Sequence, residues 1–294
     1  VSTATVEGCV SEQLAGIVCG IDDGYAMPLR TLMRSIAASH GESTGQLRLT
    51  VLDQGVSVES RTTILRDATQ LGLSTRILAA PAPDPGYPVS GWVSEAVYAR
   101  LSIPLVVHDE DRVLYLDADT IVLGDLRSLL RRPLHGHPIG AVLDAHNPLI
   151  GHGIAMPGWE ALGVARGRTY FNSGVMLIDV AESRRLRLFE NAQRFLCDHP
   201  DKVRFWDQDA LNYAAAGDWQ RLEARWNTFA VSPLASRPGF VHHAEATTPL
   251  AQLIADERTA SVIHFAGRDK PWNAGYPSGR LRDLYRGFQP ATDA

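Results

Sequence analysis

The chain has 294 residues, 45% of them hydrophobic and 21% charged, with a net charge of −5 and a pI near 6.1. That is enough apolar material for a substantial core, and the acidic balance argues against a broad basic surface for nucleic acid. The three cysteines, Cys9, Cys19 and Cys197, are too few and too irregularly spaced for a disulfide framework or a zinc ribbon, which fits a cytoplasmic setting, and no apolar run reaches the roughly 18 residues of a membrane span.

Residues 1–13 read as a loose arm without a signal-peptide pattern, and one domain is expected over 14–294. Leu14 to Ile21 is a short apolar run ahead of Asp22-Asp23-Gly24, the pattern of a buried strand ending in a polar loop. Ala26 to Ala38 follows at helical spacing, with Pro28 in the first turn, where a missing N–H is tolerated. Leu47 to Leu52 reads as a second strand, Ser57 to Leu71 as a second helix and Thr75 to Leu78 as a third strand. Strands alternating with helices predict an α/β fold, a Rossmann-like domain with a mainly parallel central sheet covered on both faces.

Pro81 to Gly91 is a loop by composition, either a domain boundary or an active-site loop within one domain. Ser94 to Leu105 starts as a helix and is interrupted at Pro104, and Arg112 to Leu116 is a core strand. Ile139 to Leu143 and Val175 to Val180 read as further core strands. Between them, His146 to Arg168 is rich in Gly, His and Pro, the composition of an insertion or lid. Ala181 to Leu196 and Asp207 to Ala216 are expected helices, and Ser261 to Phe265 a last short strand.

Five segments concentrate chemistry. In Val113-Leu114-Tyr115-Leu116-Asp117-Ala118-Asp119, an apolar strand delivers two carboxylates at its C-terminal end, where parallel sheets bind ligands. Carboxylates aimed at one point repel unless a cation sits between them, and hard oxygen ligands suit Mg²⁺ or Mn²⁺; the plain alternative is a pair of solvated loop acids. His264-Phe265-Ala266-Gly267-Arg268-Asp269-Lys270-Pro271-Trp272 offers an imidazole, a glycine that lets backbone approach phosphate, and a lysine charge, or else a surface turn with a packed tryptophan. Asp207, in Trp206-Asp207-Gln208-Asp209, reads by default as a helix cap, with Gln208 and Asp209 as candidates for a pocket floor. Phe171-Asn172-Ser173-Gly174 reads as small polar residues entering a buried strand. In Asp22-Asp23-Gly24-Tyr25, a carboxylate and an aromatic face can address a nucleoside, or simply start the first helix.

In their order, LYLDAD, FNSGVMLID, DQDALN and H-x-x-G-x-x-K-P-W resemble the family 8 glycosyltransferases, the group that includes glycogenin and bacterial lipooligosaccharide galactosyltransferases, from about Leu14 to Trp272. The resemblance implies a GT-A fold, a UDP-sugar donor (UDP-glucose or UDP-galactose), Mn²⁺ with Mg²⁺ as the alternative, and transfer with retention to an acceptor it does not identify. By position it implies Asp117, Asp119 and His264 as metal ligands, with Gly267 and Lys270 at the diphosphate. Asp22 and Tyr25 would face the uracil, Arg100 and Ala118 the donor, and Asp144, Asn172, Ser173, Asp207 and Gln208 the sugar. Gln208 and Asp207 are the candidate catalytic residues. An amide is a poor nucleophile, which favours attack from the leaving-group face with these two residues supporting the sugar. The chain carries Gly24 where family members often have Asn, losing a ribose contact, and Ser173 where they often have Ala. The acceptor is sought along 146–168 and 233–250, which are equally readable as plain surface.

Two other readings stay open on sequence. Leu116-Asp117-Ala118-Asp119-Thr120 also matches the D-x-D-x-T signature of haloacid-dehalogenase-like phosphatases, with Asp117 as nucleophile and Asp119 as acid/base. That signature usually opens its domain, whereas three strand–helix units precede it here. The other is a catalytically silent nucleotide-sugar-binding protein.

Overall fold

The computed structural model describes residues 15–89 and 93–291. The expected N-terminal arm, Cys9, the first residue of the first expected strand and the end of the 81–91 loop lie outside them. The strands are β1 (Ala15–Ile21), β2 (Leu47–Asp53), β3 (Ser74–Ala79), β4 (Arg112–Leu116), β5 (Thr120–Val122), β6 (Ile139–Leu143), β7 (Phe171–Asp179), β8 (Gln220–Arg221), β9 (Thr228–Phe229) and β10 (Val262–His264). The helices are α1 (Ala26–His40), α2 (Val58–Leu71), α3 (Ile103–Val106), α4 (Leu126–Leu130), α5 (Val180–Arg185), α6 (Leu188–Asp198), α7 (Trp206–Ala215), α8 (Ser232–Ala235), α9 (Leu250–Asp256) and α10 (Arg280–Phe288).

The main sheet has seven strands in the order β3-β2-β1-β4-β7-β6-β8. β3, β2, β1 and β4 are parallel, β7 runs antiparallel to both β4 and β6, and β6 is parallel to β8. The central strands are covered on both faces, which is why they read as continuous apolar runs, whereas the edge strands β3 and β8 stay partly exposed. Along β4, Leu114 and Leu116 pack with α1 and α2 side chains on one face, while Val113 and Tyr115 pack on the other with α6 and α7. Helix α1 places Leu29, Leu32, Met33 and Ile36 against the sheet, fully buried, at the i, i+3, i+4, i+7 spacing of one helical face. Helix α2 is bounded by Ser57, whose side chain accepts from Ser60 N–H, and by Gly72 in the left-handed conformation.

The expected mainly parallel sheet is present, as are the first two strand–helix units and the third strand. Four local expectations are corrected. The helix expected over 94–105 is a 3-10 run, Glu95–Ser102, followed by the short α3. The helix expected over 181–196 is two helices, α5 and α6, because Arg187 adopts a left-handed φ of 53° that no continuous helix accommodates. Strand β7 begins at Phe171, so Asn172-Ser173-Gly174 lies within the strand rather than in a turn before it. Asp207 is not the cap of α7: that position is Phe205, without a side-chain capping bond, and Asp207 lies inside the first turn.

Topology dictates where the polar residues meet. The chain leaves β1 toward β2 and β3 on one side, then returns to β4 on the other, so a crevice opens beyond the C-terminal ends of β1 and β4. Asp22 follows β1 and Asp117 follows β4 into it. Because β7 is antiparallel, its start, Asn172 to Gly174, lies beside the end of β4, and the end of β6 pairs Leu143 with Phe171, bringing Asp144 alongside. A second sheet, β5-β10-β9, closes the crevice: β5 starts one residue after Asp119, and His264 on β10 pairs with Thr120 on one side and Phe229 on the other.

Candidate active site

At the centre, one ligand atom from each of Asp117, Asp119 and His264 lies within 4.8 Å of the other two. His264 Nε2 is 3.3 Å from Asp119 Oδ1 and 3.7 Å from Asp117 Oδ2. Asp119 is 7% exposed, and its Oδ1 is buried without a hydrogen-bond partner, an expensive arrangement unless something else completes it. Burial raises the Asp119 pKa, but Lys270 and then His264 outweigh it and hold the carboxyl well below its usual range. Lys270 Nζ donates to Asp119 Oδ2 and, at 2.9 Å, to Phe265 O.

The imidazole is oriented by a chain of amides. Gly174 N–H and Asn227 Nδ2 both donate to Asn172 Oδ1, at 3.0 and 2.8 Å. That leaves Asn227 Oδ1 to accept from His264 Nδ1 at 2.9 Å, so Nε2 is the atom presented to the carboxylates. Gly174 is forced by the same packing: a Cβ there would stand 2.3 Å from His264 Cε1 and 2.7 Å from Asp117 Oδ2. The hard oxygen pair, the oriented imidazole and the unpartnered oxygen fit a divalent cation such as Mn²⁺ or Mg²⁺.

Around this centre the side chains form a second network. Arg100 is buried and donates to Asp117 Oδ1 at 2.7 Å, Ser173 O at 2.7 Å and Ser173 Oγ at 3.1 Å, and its Nε is 3.1 Å from Asp207 Oδ2. Tyr115 OH donates to the same Asp117 Oδ1 at 3.0 Å. Ser173 Oγ donates to Asp207 Oδ2 at 2.9 Å. Even so, burial pushes the Asp207 carboxyl up to about 6, because Arg100 divides its charge with Asp117, which itself repels a second anion. Gln208 Oε1 accepts from Asn172 Nδ2 at 2.7 Å and from Ser173 N–H at 3.1 Å, while Gln208 Nε2 donates to Asp144 Oδ2 at 3.1 Å. Asp209 does not join the site: it is fully buried, accepting from Tyr170 OH and from the Met156, Arg204 and Phe205 N–H groups, and so pins the chain before α7.

Asp117, Asp119, His264, Lys270, Arg100, Asp144, Asn172, Ser173, Asp207 and Gln208 line a cavity of about 850 Å³ that also takes in Asp22, Tyr25, Ala118 and Gly267. Asp22 Oδ1 accepts from Tyr25 N–H at 3.1 Å, so the capping role open on sequence is present together with exposure to the cavity. Gly267 sits at φ 92°, a conformation costly for any residue with a Cβ. All fourteen residues picked out for metal, donor or catalysis thus gather in one place. Sequence reasoning missed Asn227, Tyr115 OH and Trp206. Asn227 sits between strands too short to show a period. Trp206 lines the cavity from φ 46°, where a bulky residue costs about 1–2 kcal/mol, strain of the kind that clusters at functional sites.

The model of the family described as "Glycosyl transferase family 8" matches residues 16–275. General stress protein A of Bacillus subtilis (strain 168) is 27% identical over 272 residues, covering 90% of this chain and 89% of that protein. Lipopolysaccharide 1,2-glucosyltransferase of Escherichia coli (strain K12) is 31% identical over 189 residues, 63% of this chain and 52% of that protein. Among solved structures, the galactosyltransferase LgtC in complex with donor and acceptor sugar analogs superposes with a TM-score of 0.75 at 27% identity, covering 93% of this chain and 94% of that one. The described residues contain no helix long and apolar enough to cross a membrane. With the matched span, the GT-A architecture and the crevice in agreement, the chain belongs to glycosyl transferase family 8.

Proposed function

We propose that the chain moves a hexose, glucose or galactose, from a UDP-sugar to an acceptor hydroxyl with retention of anomeric configuration, using Mn²⁺ or Mg²⁺ held by Asp117, Asp119 and His264. The observation that carries it is the convergence of those three side chains around an unpartnered buried oxygen. A divalent cation bound there supplies positive charge to the diphosphate as it leaves. Lys270 and the backbone at Gly267 meet the same diphosphate and stabilise its growing charge. Tyr25 stacks on the uracil and Asp22 accepts from it, while Arg100 and the backbone at Ala118 hold the donor against β4.

The sugar lies over Asp144, Asn172, Ser173, Asp207 and Gln208. Both acceptor positions of Gln208 Oε1 are occupied by Asn172 and Ser173, and an amide is in any case a poor nucleophile, while Asp207 Oδ2 is held by Arg100 and Ser173. Attack of the acceptor hydroxyl from the leaving-group face accounts for retention without a protein nucleophile. Gln208 orients the sugar, and Asp207 supports the positive charge that develops on it. A glycosyl adduct trapped on Asp207 or Gln208 and found by mass spectrometry would overturn that route.

The deciding experiment is a screen of UDP-sugars by shift in melting temperature, with and without Mn²⁺, followed by UDP release from UDP-glucose and UDP-galactose. Stabilisation by one UDP-sugar that requires the cation, together with UDP release, is expected. Binding with no release from any donor marks a silent binding protein, and phosphate-ester hydrolysis without UDP-sugar binding marks the phosphatase chemistry.

A further inference from the structure

The cavity has two kinds of wall. Every acid, lysine and arginine that lines it belongs to the networks around the metal and sugar positions or to Asp22. Apart from Asp144 at its start, the connection 144–170 between β6 and β7, like 230–261 between β9 and β10, gives it no carboxylate, lysine or arginine side chain. They give it Ile154, Leu234, Val241, His146 and His243, with Asn147 and Gly153. Ile154 and Val241 are 55% and 62% exposed, among the few large aliphatic side chains left open to water, and they face a cavity rather than scattered surface. Opposite in sequence, Trp206 is held in a left-handed conformation and adds its indole to the same lining.

The polar groups on this wall are few: Asn147, His146 and the exposed His243, without a lysine or arginine. Asn147 Oδ1 already accepts from Ile154 N–H at 3.0 Å. Burial, opposed by Asp144 and reinforced by His242, holds the His146 ring below its ordinary pKa. A phosphate or carboxylate placed here would lose water without meeting a lysine or arginine. A bare sugar would leave Ile154, Leu234 and Val241 open to water.

Resting on the transferase reading above, we propose that the acceptor is an uncharged glycoside with an apolar aglycone, alkyl or aryl, and that Ile154, Leu234 and Val241 hold the aglycone while its sugar hydroxyl enters the transfer site. The wall is continuous with the donor crevice, so an acceptor seated on it has its polar end beside Asp144 and Gln208.

The test uses the full chain saturated with UDP and Mn²⁺, titrated with n-octyl β-D-glucoside and n-octyl β-D-galactoside below their micelle concentrations, with the methyl glycosides and with glucose 1-phosphate. Binding is read by intrinsic fluorescence and saturation-transfer NMR. At least one octyl glycoside should bind about tenfold tighter than its methyl counterpart, the gain from covering about two methylenes. Ile154→Asp and Val241→Asp, both at exposed positions, should remove most of that preference. Equal octyl and methyl affinities in the wild type, tighter binding of the sugar phosphate, or an octyl preference intact in both variants overturns the proposal. If UDP and Mn²⁺ bind while any of these occurs, the acceptor assignment falls alone. If the wild type binds no UDP with Mn²⁺, the donor reading falls with it.

Discussion

The two sheets divide the labour of the site unequally. The seven-stranded sheet is sealed on both faces along its central strands, and β4 among them carries Val113, Leu114, Tyr115 and Leu116 at 1% exposure or less before releasing Asp117. The three-stranded sheet has strands of three, three and two residues, yet it carries His264 and sits next to Asn227. A carboxylate at the end of β4 is positioned by a core that stabilises itself; an imidazole on β10 is positioned by its neighbours. The proposed metal site, Asp117, Asp119 and His264, spans the joint between the two sheets. Its geometry therefore depends on how β5, leaving Asp119, pairs with β10.

Removing a ligand breaks the comparison most directly. Asp119→Ala, at the first residue of the joint, should lower Mn²⁺-dependent UDP release about 1,000-fold, since a cation's contribution of several kcal/mol is forfeited. Lys270 then loses its buried partner, so circular dichroism should accompany the kinetics to show that the sheet persists. Full activity in this variant would end the metal assignment.

Two glycines sharpen the contrast. Gly174→Ala puts a Cβ between His264 and Asp117, so the two sheets must separate where the ligands meet. Mn²⁺ affinity measured by calorimetry should fall about 100-fold, equivalent to about 3 kcal/mol and within the range for overpacking. Gly16→Ala tests the other end of β1, where the new Cβ would lie 1.3 Å from Glu110 Oε2. There the obstacle is the far end of a flexible side chain, so a loss of about 1 kcal/mol of stability is expected with Mn²⁺ affinity within about twofold of wild type. If both glycines affected the metal equally, the joint would have no special role.

Asn227→Ala removes the acceptor of His264 Nδ1–H together with the Nδ2 donor to Asn172 Oδ1, and leaves the β10 strand itself untouched. Outer partners of ligating histidines are typically worth about 10–100-fold in metal affinity, and the lower end is expected because Phe229 still packs on the ring at 5.4 Å. Asn227→Asp keeps an acceptor for Nδ1–H but sets a carboxylate oxygen against Asn172 Oδ1, so it should restore only part of the affinity; unchanged affinity in Asn227→Ala would mean the ring is held by packing alone.

What sequence could show follows the same division. The parallel half of the main sheet was legible because strands buried on both faces are apolar runs and α1 repeats its buried leucines at helical spacing. Asp117 and Asp119 were legible because a strand that apolar announces where it ends. Strands β5, β8 and β9 were not, being two or three residues long with no period to detect. His264 could be picked out only through its order relative to the other motifs, since nothing local in Val262-Ile263-His264 says which acids it faces. The break at Arg187 was hidden because Leu186-Arg187-Leu188 has good helix formers, and tertiary packing set the turn.

The smallest effect concerns Asp207, which belongs to neither sheet but is tied to both β4 and β7 through Arg100 and Ser173. Its carboxyl titrates near 6 when folded, against 3.8 as the ordinary value, because burial outweighs the shared charge of Arg100. The folded state therefore holds the proton more tightly than the unfolded chain. The stability this contributes is fully present below pH about 4 and is lost as the pH rises through about 6. The difference of about two pKa units sets an upper bound near 3 kcal/mol. Urea denaturation of the wild type and Asp207→Asn at pH 4.5 and 7.5 isolates it, since carboxylates common to both chains cancel in the difference. Wild type should lose about 1–3 kcal/mol relative to the variant between those pH values. An unchanged difference would mean that Arg100 compensates Asp207 fully. The carboxylate would then be ionised throughout, and its support for a developing positive charge on the sugar would not vary with pH in this range.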